Sequence, residues 1–271
     1  MDNANAPLTD KIDVTVPSVA RMYDFLLDGK DNYPADRAAT EQLLLQVPSM
    51  KVLALNNRQF LRRVVRVLAE DYGIKQFVDH GSGLPTQDNV HEVAQRIHPD
   101  ARVVYVDNDP IVLAHGRALL EQNENTAVLQ ADFRDTDSIW ESAEVKRLIN
   151  LDEPVAALFV SVLHCIRDAH DPAGVVRRVA ERLPSGSYLV VCQLVSEDAA
   201  TREFVTDFMD RSTGGNWGEV RQQADVHRFL AGTEILEPGL VEVSTWRPDN
   251  ELALKQPSFE WIEFGGVARL P

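Results

Sequence analysis

The sequence predicts an α/β protein. Its expected core is a three-layer αβα arrangement around a seven-stranded, mostly parallel sheet that ends in an antiparallel hairpin, and a helical cap precedes it. Three observations predict this. Residues 73–195 alternate strand-like and helix-like segments five times, the pattern of parallel strands covered by helices. The first strand runs into a turn with two glycines, "VDHGSGLPT". Two late strand-like segments, "LVEVSTW" and "FEWIEFGGVARL", follow the alternation, with a turn region holding Pro248 and Pro257 between them.

The elements follow in order. Residues 1–16 show no periodicity and read as a loose arm. Ser18 can cap a helix whose apolar face is Val19, Met22, Tyr23 and Leu26, and Gly29 supplies a stop. Pro34 suits the first position of a second helix over 34–46, Pro48 breaks it, and a third helix covers 50–71 with Phe60, Val64 and Val67 inward. Beyond Gly73, "KQFVD", "RVVYV", "AVLQA", "PVAALFVS" and "SYLVVCQLV" read as strands. The fourth is a continuous apolar run, as a strand buried on both faces requires. The intervening helices begin near Val90, Pro110, Thr136 and Pro172, and a further helix covers 198–212 before the Gly-rich "STGGNWG". The organisation is therefore a cap at 1–72 and a core at 73–271.

Composition excludes several classes. A net charge of −15 repels a polyanion over most of the surface, so nucleic acid is not an expected partner. The longest apolar stretch, Val155 to Leu163, is too short for a bilayer, and the polar, acidic N-terminus does not read as a signal peptide. Two cysteines, Cys165 and Cys192, build no disulfide framework, and a reduced cytoplasm is the expected compartment. Both thiols read as buried and structural rather than catalytic.

The chemistry-bearing residues gather at strand ends. Asp79, Gly81 and Gly83 form the first turn. A dinucleotide fingerprint, G-x-G-x-x-G, would place glycine where Thr86 stands, which argues against a nicotinamide or flavin ligand. Asp107 closes the second strand, where an acid can accept both hydroxyls of a ribose, and Asp132 closes the third. Strand-end acids also cap helices, and a glycine turn also serves purely structural ends. Three acids at three successive strand ends point instead to a nucleoside ligand.

The stretches "DHGSGLPTQ", "VVYVDNDP", "LQADFRD" and "VSVLHCI" resemble, in order and spacing, motifs I to IV of class I S-adenosylmethionine-dependent methyltransferases, a Rossmann-like fold. With "SVARMYDFLLDGKDNYPADR", the chain resembles more closely a bacterial S-adenosyl methyltransferase family first catalogued as a domain of unknown function. It departs at Asp28, where that family commonly has glycine, and at His80 and Ser82, commonly Ile and Thr. The resemblance implies S-adenosylmethionine as cofactor. Gly81, Ser82 and Gly83 would lie against its methionine end, Thr86 would also contact the cofactor, Asp79 would orient the amino group, and Asp107 the ribose, with Asn108 beside the adenine. Asp132 and Phe133 would flank the adenine, and Ser161 and His164 would lie on the sulfonium side. The acceptor implied is a small molecule.

His164 is the candidate general base, since a neutral imidazole suits that role near pH 7; packing on the cofactor is the alternative. His164, Asp168, His170 and Asp171 fit no standard zinc spacing, so no metal is expected. The first helix and its polar turn read either as packing beside the sheet or as a lid placing Tyr23, Lys30, Asn32 and Tyr33 near the substrate. Arg58, Arg62 and Arg66 share one helical stripe and read as a solvated face paired with acids. Two other functions stay open: a cofactor-binding regulator without activity, and an NAD(P)-dependent oxidoreductase.

Overall fold

The computed structural model describes residues 13–86, 88–119, 123–249 and 261–271. Residues 1–12 of the arm expected over 1–16, and the first residues of the last strand-like segment, lie outside them. Three helices come first: α1 (Val19–Leu26), α2 (Pro34–Gln46) and α3 (Met50–Tyr72). The alternation is β1 (Gln76–His80), α4 (Val90–Ile97), β2 (Arg102–Asp107), α5 (Pro110–Leu119), β3 (Thr126–Gln130), α6 (Thr136–Glu141), α7 (Ala143–Leu148), β4 (Ala156–Val160), α8 (Pro172–Ala180) and β5 (Tyr188–Val195). Then come α9 (Ala199–Ser212), α10 (Gln223–Val226), β6 (Glu234–Ile235), β7 (Val241–Glu242) and β8 (Ile262–Arg269).

Among the described residues the sheet has eight strands rather than seven, in the order β3-β2-β1-β4-β5-β8-β6, with β7 also pairing on β8. Strands β1 to β5 are mutually parallel, and β8 runs antiparallel to β5. The expected strand "LVEVSTW" shortens to Val241–Glu242, because the chain turns into a 3-10 turn at Val243–Thr245. The unforeseen strand, β6, is also two residues long, and its exposed Glu234 and Ile235 pair with Arg269 and Ala268. The helix expected near 136–149 divides at Ser142, which caps α7 by accepting from the Val145 N–H at 3.2 Å.

Alternating strand residues feed two cores. Val78, Val104, Ala157 and Val191 pack with α6, α7 and α8 through Ile139, Val145 and Val176. Phe77, Val103, Leu158 and Val190 pack with α3 and α4 through Phe60, Val64, Val90 and Ala94. This two-sided burial explains the unbroken apolar strands. A third cluster joins the cap to the far end of the sheet: Met22, Leu43 and Leu53 meet Leu194, Val205, Met209 and Trp217.

One carboxylate organises the cap. Asp36 is fully buried and pairs with buried Arg21 at 2.9 Å. It also accepts the N–H groups of Ser18 at 2.9 Å and Tyr33 at 2.8 Å, so it fixes the start of α1 to the start of α2. Removing one partner of such a buried pair strands the other charge, at a cost of about 3–5 kcal/mol. Asp36→Ala is therefore expected to destabilise the protein by that amount in chemical denaturation, and to open the α1 amides to hydrogen exchange. Unchanged α1 protection would mean that its apolar face alone holds it in place.

Candidate functional site

The strand order reverses between β1 and β4, and a ligand crevice is expected outside the carboxyl ends of strands at such a switch point. A cavity of about 820 Å³ lies there. The turns after β1, β2, β3 and β4 form its floor, α1 and α3 one wall, and α9 with the Gly214–Trp217 segment another. Each glycine of the first turn has its own reason. Both Gly81 and Gly83 adopt left-handed backbone, at φ 72° and 67°. A Cβ on Gly81 would lie 2.2 Å from Cγ2 of Val162, whereas one on Gly83 would meet nothing within 4 Å. Gly81 thus lets β1's turn pass under the β4 turn, and Gly83 leaves the floor open.

Asp107 ties two turns together. Its Oδ2 accepts the Gly83 N–H at 2.8 Å and its Oδ1 the Asp109 N–H at 2.9 Å. Burial raises its carboxyl to about 6, against these stabilising hydrogen bonds. Asp79 is buried, and burial raises it to about 7, although Arg58 opposes the rise and Asp107 adds to it. The buried Ser82 hydroxyl has no hydrogen-bond partner among the described residues.

Asp79, Gly81, Ser82, Gly83, Thr86, Asp107, Asn108, Asp132, Phe133, Ser161 and His164 all border this one cavity. Asn108 is exposed, Phe133 is largely within the core, and Asp132 is paired with Arg134 at the mouth. Of the residues expected on a lid, only Tyr23 borders it. Its hydroxyl donates to the Ala54 carbonyl at 3.0 Å and accepts from Asn57 Nδ2 at 2.8 Å. Lys30 is exposed, and Asn32 is consumed by the turn itself, bonding Asp24 at 2.8 Å, the Gly29 carbonyl at 3.0 Å and Arg37 at 2.7 Å. Tyr33 lies at the surface beneath the Arg21 guanidinium, 5.4 Å from its ring centre. The polar turn therefore satisfies itself, which corrects the reading that placed these three side chains at the substrate.

His164 also needs correction as a base. Its Nδ1 accepts the Leu194 N–H at 3.2 Å, so the neutral ring carries its proton on Nε2. Burial, helped by Arg221, lowers it to about 3. Such a ring can donate a hydrogen bond, but it is a poor acceptor of a proton. His80 is under the turn, not at the ligand: it stacks on Phe159 at 4.4 Å with Nδ1 3.3 Å from the Leu158 carbonyl. Arg62 and Arg66 pair with Asp88 and Glu70 as expected of a solvated stripe, but Arg58 turns into the cavity. Cys165 and Cys192 are free thiols whose acidity burial suppresses. Among the described residues, no group of three or more His, Cys, Asp or Glu side chains could hold a metal, and no helix is long and apolar enough to cross a membrane.

Sequence reasoning missed Glu263, Asn57 and Trp217, which also border the cavity. The one signal for Glu263 was an acid inside an apolar strand, "WIEFGGV".

Comparison with known proteins agrees with this geometry. The family model described as S-adenosyl methyltransferase matches residues 5–271. The chain is similar to a DUF574 family protein from Streptomyces avermitilis MA-4680, at 38% identity over 96% of this chain and 100% of that one, with a TM-score of 0.88. It is also similar to a candidate methyltransferase from Thermobifida fusca YX, at 39% identity over 99% of each chain, again with a TM-score of 0.88. No curated protein matches the chain by sequence.

The two glycines make a direct test of the turn. A side chain in left-handed backbone costs roughly 1–2 kcal/mol at either position. Gly81→Ala adds overpacking against Val162, typically 1–3 kcal/mol more. Gly81→Ala is expected to melt clearly below Gly83→Ala without ligand. Equal melting temperatures would show that Val162 moves aside freely.

Proposed function

The chain belongs to the S-adenosyl methyltransferase family and is an S-adenosylmethionine-dependent methyltransferase, and from that premise we propose that it methylates a small molecule inside the cavity beneath α1. The corner Asp79–Gly83 carries the proposal. It combines a buried carboxylate facing an arginine, a buried hydroxyl without a partner, and a bare α-carbon opening onto the cavity. These groups fit the zwitterionic amino-acid end of the cofactor. Asp79 would hold its ammonium, Arg58 its carboxylate, and Ser82 with the turn's backbone would complete the cradle.

Asp107 would accept the ribose hydroxyls with the lone pairs its two backbone bonds leave. Thr86 and Asn108 would border the nucleoside, and Asp132 and Phe133 would flank the adenine. Bound there, S-adenosylmethionine supplies an electrophilic methyl group. The chain's own work is alignment and exclusion of water. His164 and Ser161 would border the transferring group, with His164 holding its position through the Leu194 N–H rather than taking a proton. A cavity of about 820 Å³ suits a cofactor and a small acceptor together. The −15 charge disfavours nucleic acid, and a reducing cytoplasm suits two free thiols. Residues 1–72 would serve as the cap and 73–271 as the cofactor-binding core.

Two measurements test this reading. Calorimetry should show binding of S-adenosylmethionine and of its demethylated product, and none of a nicotinamide dinucleotide; the reverse result would sink it. Asp107→Ala should weaken that binding tenfold to a hundredfold, since charge-assisted hydrogen bonds contribute roughly 1.5–3 kcal/mol.

The pH dependence has a definite sign. Asp79 titrates near 7 when free, and the ammonium binds its ionised form. Affinity should therefore fall about tenfold per pH unit as pH drops below 7, and fall again above roughly 8 as the ligand's α-amino group loses its proton. Asp107, near 6, should steepen the fall further. Asp79→Asn should reduce the dependence between pH 6 and 7 to the smaller share that Asp107 carries; an undiminished fall there would assign it to another group.

A further inference from the structure

We propose that Glu263 is the acceptor-facing carboxylate of this cavity and that the acceptor is an amine. The inference rests on the reading of the cofactor end given above and concerns the opposite end.

Topology separates the two ends. In the sheet order, β8 lies three strands beyond β1 and four beyond β2. At about 4.8 Å per strand, that is roughly 14 Å and 19 Å. A nucleoside over β1 and β2 thus leaves Glu263 at the far side. Height separates them too. Strand β4 ends at Val160, opposite Cys192, while β5 runs on through Leu194, opposite Glu263. The end of the β5–β8 pair therefore stands above the floor as a wall. The same cavity is lined by Met22, Leu43, Leu194, Val205, Met209 and Trp217, which form one apolar cluster, so a carboxyl group in its wall needs a reason.

Its protein partners leave it incomplete. Glu263 Oε1 accepts the Ser161 hydroxyl at 2.8 Å, from a residue in left-handed backbone at φ 58°. Its Oε2 accepts the Cys192 thiol at 3.1 Å. Each carboxylate oxygen has two acceptor sites, so capacity remains on both. Among the described residues, the one charged group acting on it is Glu242, from β7, which is also negative, and none of them is a cation that offsets it. The single Cys192 thiol proton has Asn57 Oδ1 as its other acceptor, at 3.2 Å, and Asn57 Nδ2 donates to the Tyr23 hydroxyl on α1. A buried, uncompensated carboxyl in a cavity wall calls for a cationic or strongly donating ligand.

The chemistry selects nitrogen over an anionic oxygen. In the transfer, the bond from nitrogen to the methyl carbon forms as the sulfur–carbon bond breaks, and sulfur keeps the electron pair as a neutral thioether. Positive charge moves onto the acceptor nitrogen, which then releases one proton to the Glu263 carboxylate. A carboxylate beside that nitrogen interacts more strongly with the transition state than with the neutral amine. Beside a phenolate it would repel the ground state instead. Burial places the Glu263 carboxyl at about 7, so it can both hold and release a proton near neutrality.

The test needs no knowledge of the natural acceptor. At pH 8, phenethylamine and its oxygen counterpart 2-phenylethanol are titrated into the protein, alone and saturated with S-adenosylhomocysteine. The amine should bind at least tenfold more tightly than the alcohol. Glu263→Gln, close in shape, should abolish that preference while leaving affinity for S-adenosylmethionine and S-adenosylhomocysteine unchanged. Equal affinity of amine and alcohol in the wild-type protein overturns the proposal, whatever the variant's stability. So does a preference that survives in a folded Glu263→Gln protein. Selective loss of S-adenosylmethionine over S-adenosylhomocysteine in the variant also overturns it, since Glu263 would then face the sulfonium. Failure of S-adenosylhomocysteine to bind counts against the cofactor reading alone, because the amine pair is also compared without it.

Discussion

The approach of Gly81 to Val162 is the contact on which the site depends. Strands β1 and β4 are neighbours although β2 and β3 lie between them in the chain, and a crevice opens where their following turns diverge. The turns can cross only because Gly81 has no Cβ. Once they cross, Gly81 N–H reaches the Val106 carbonyl at 2.7 Å, and Gly83 N–H reaches Asp107 at 2.8 Å. The second turn is thereby locked to the first, and the strand-end acids converge on one cavity.

That convergence carries an electrostatic cost. Asp79, Asp107 and Glu263 are all raised by burial, with folded values near 7, 6 and 7. Each favours the free folded state at low pH, where the carboxyl is neutral, and that benefit is lost as pH rises through the folded value. His80 and His164 act oppositely. Their folded values of about 4 and about 3 lie below the ordinary 6.5, so they oppose folding as pH falls below that point. The two sets counter each other between about 4 and 6.5. Free protein near neutrality thus holds buried acids whose ionisation burial opposes, and ligands that bring cations relieve them.

Much of this was legible in the sequence because parallel strands announce themselves locally. Apolar runs ending in Asp79, Asp107 and Asp132 located three corners of the cavity without any tertiary information. The glycine that the family commonly carries at position 28 also has a physical reason, since Asp28 adopts left-handed backbone at φ 60°. What stayed hidden depends on pairings between distant segments. Glu263 gains its meaning only from Ser161 and Cys192 across the sheet, and Arg58 only from the rotation of α3. The two-residue strands β6 and β7 exist because β8 offers them an edge, so their own residues say little. The turn at 29–33 misled for the opposite reason: its polar groups looked available because their partners, Asp24 and Arg37, lie in the flanking helices.

The cap is therefore both scaffold and wall, and the two roles fall on different faces of α1. Arg21, with Ser18 ahead of the helix, faces Asp36 and anchors it to α2. Met22, Tyr23 and Leu26 face the cavity and supply an apolar roof with one hydroxyl. A hydrogen bond joins this roof to the nucleoside side: Ser18 Oγ donates to Asp109 Oδ2 at 2.7 Å. Asp109 also donates its own N–H to Asp107 Oδ1 at 2.9 Å and caps the following turn by accepting the Ile111 N–H at 2.9 Å. The residue expected to hold the ribose is thus two hydrogen bonds, both made by Asp109, from the start of α1. A ligand that draws on Asp107 would be felt at the roof through that link, without α1 having to leave its buried ion pair.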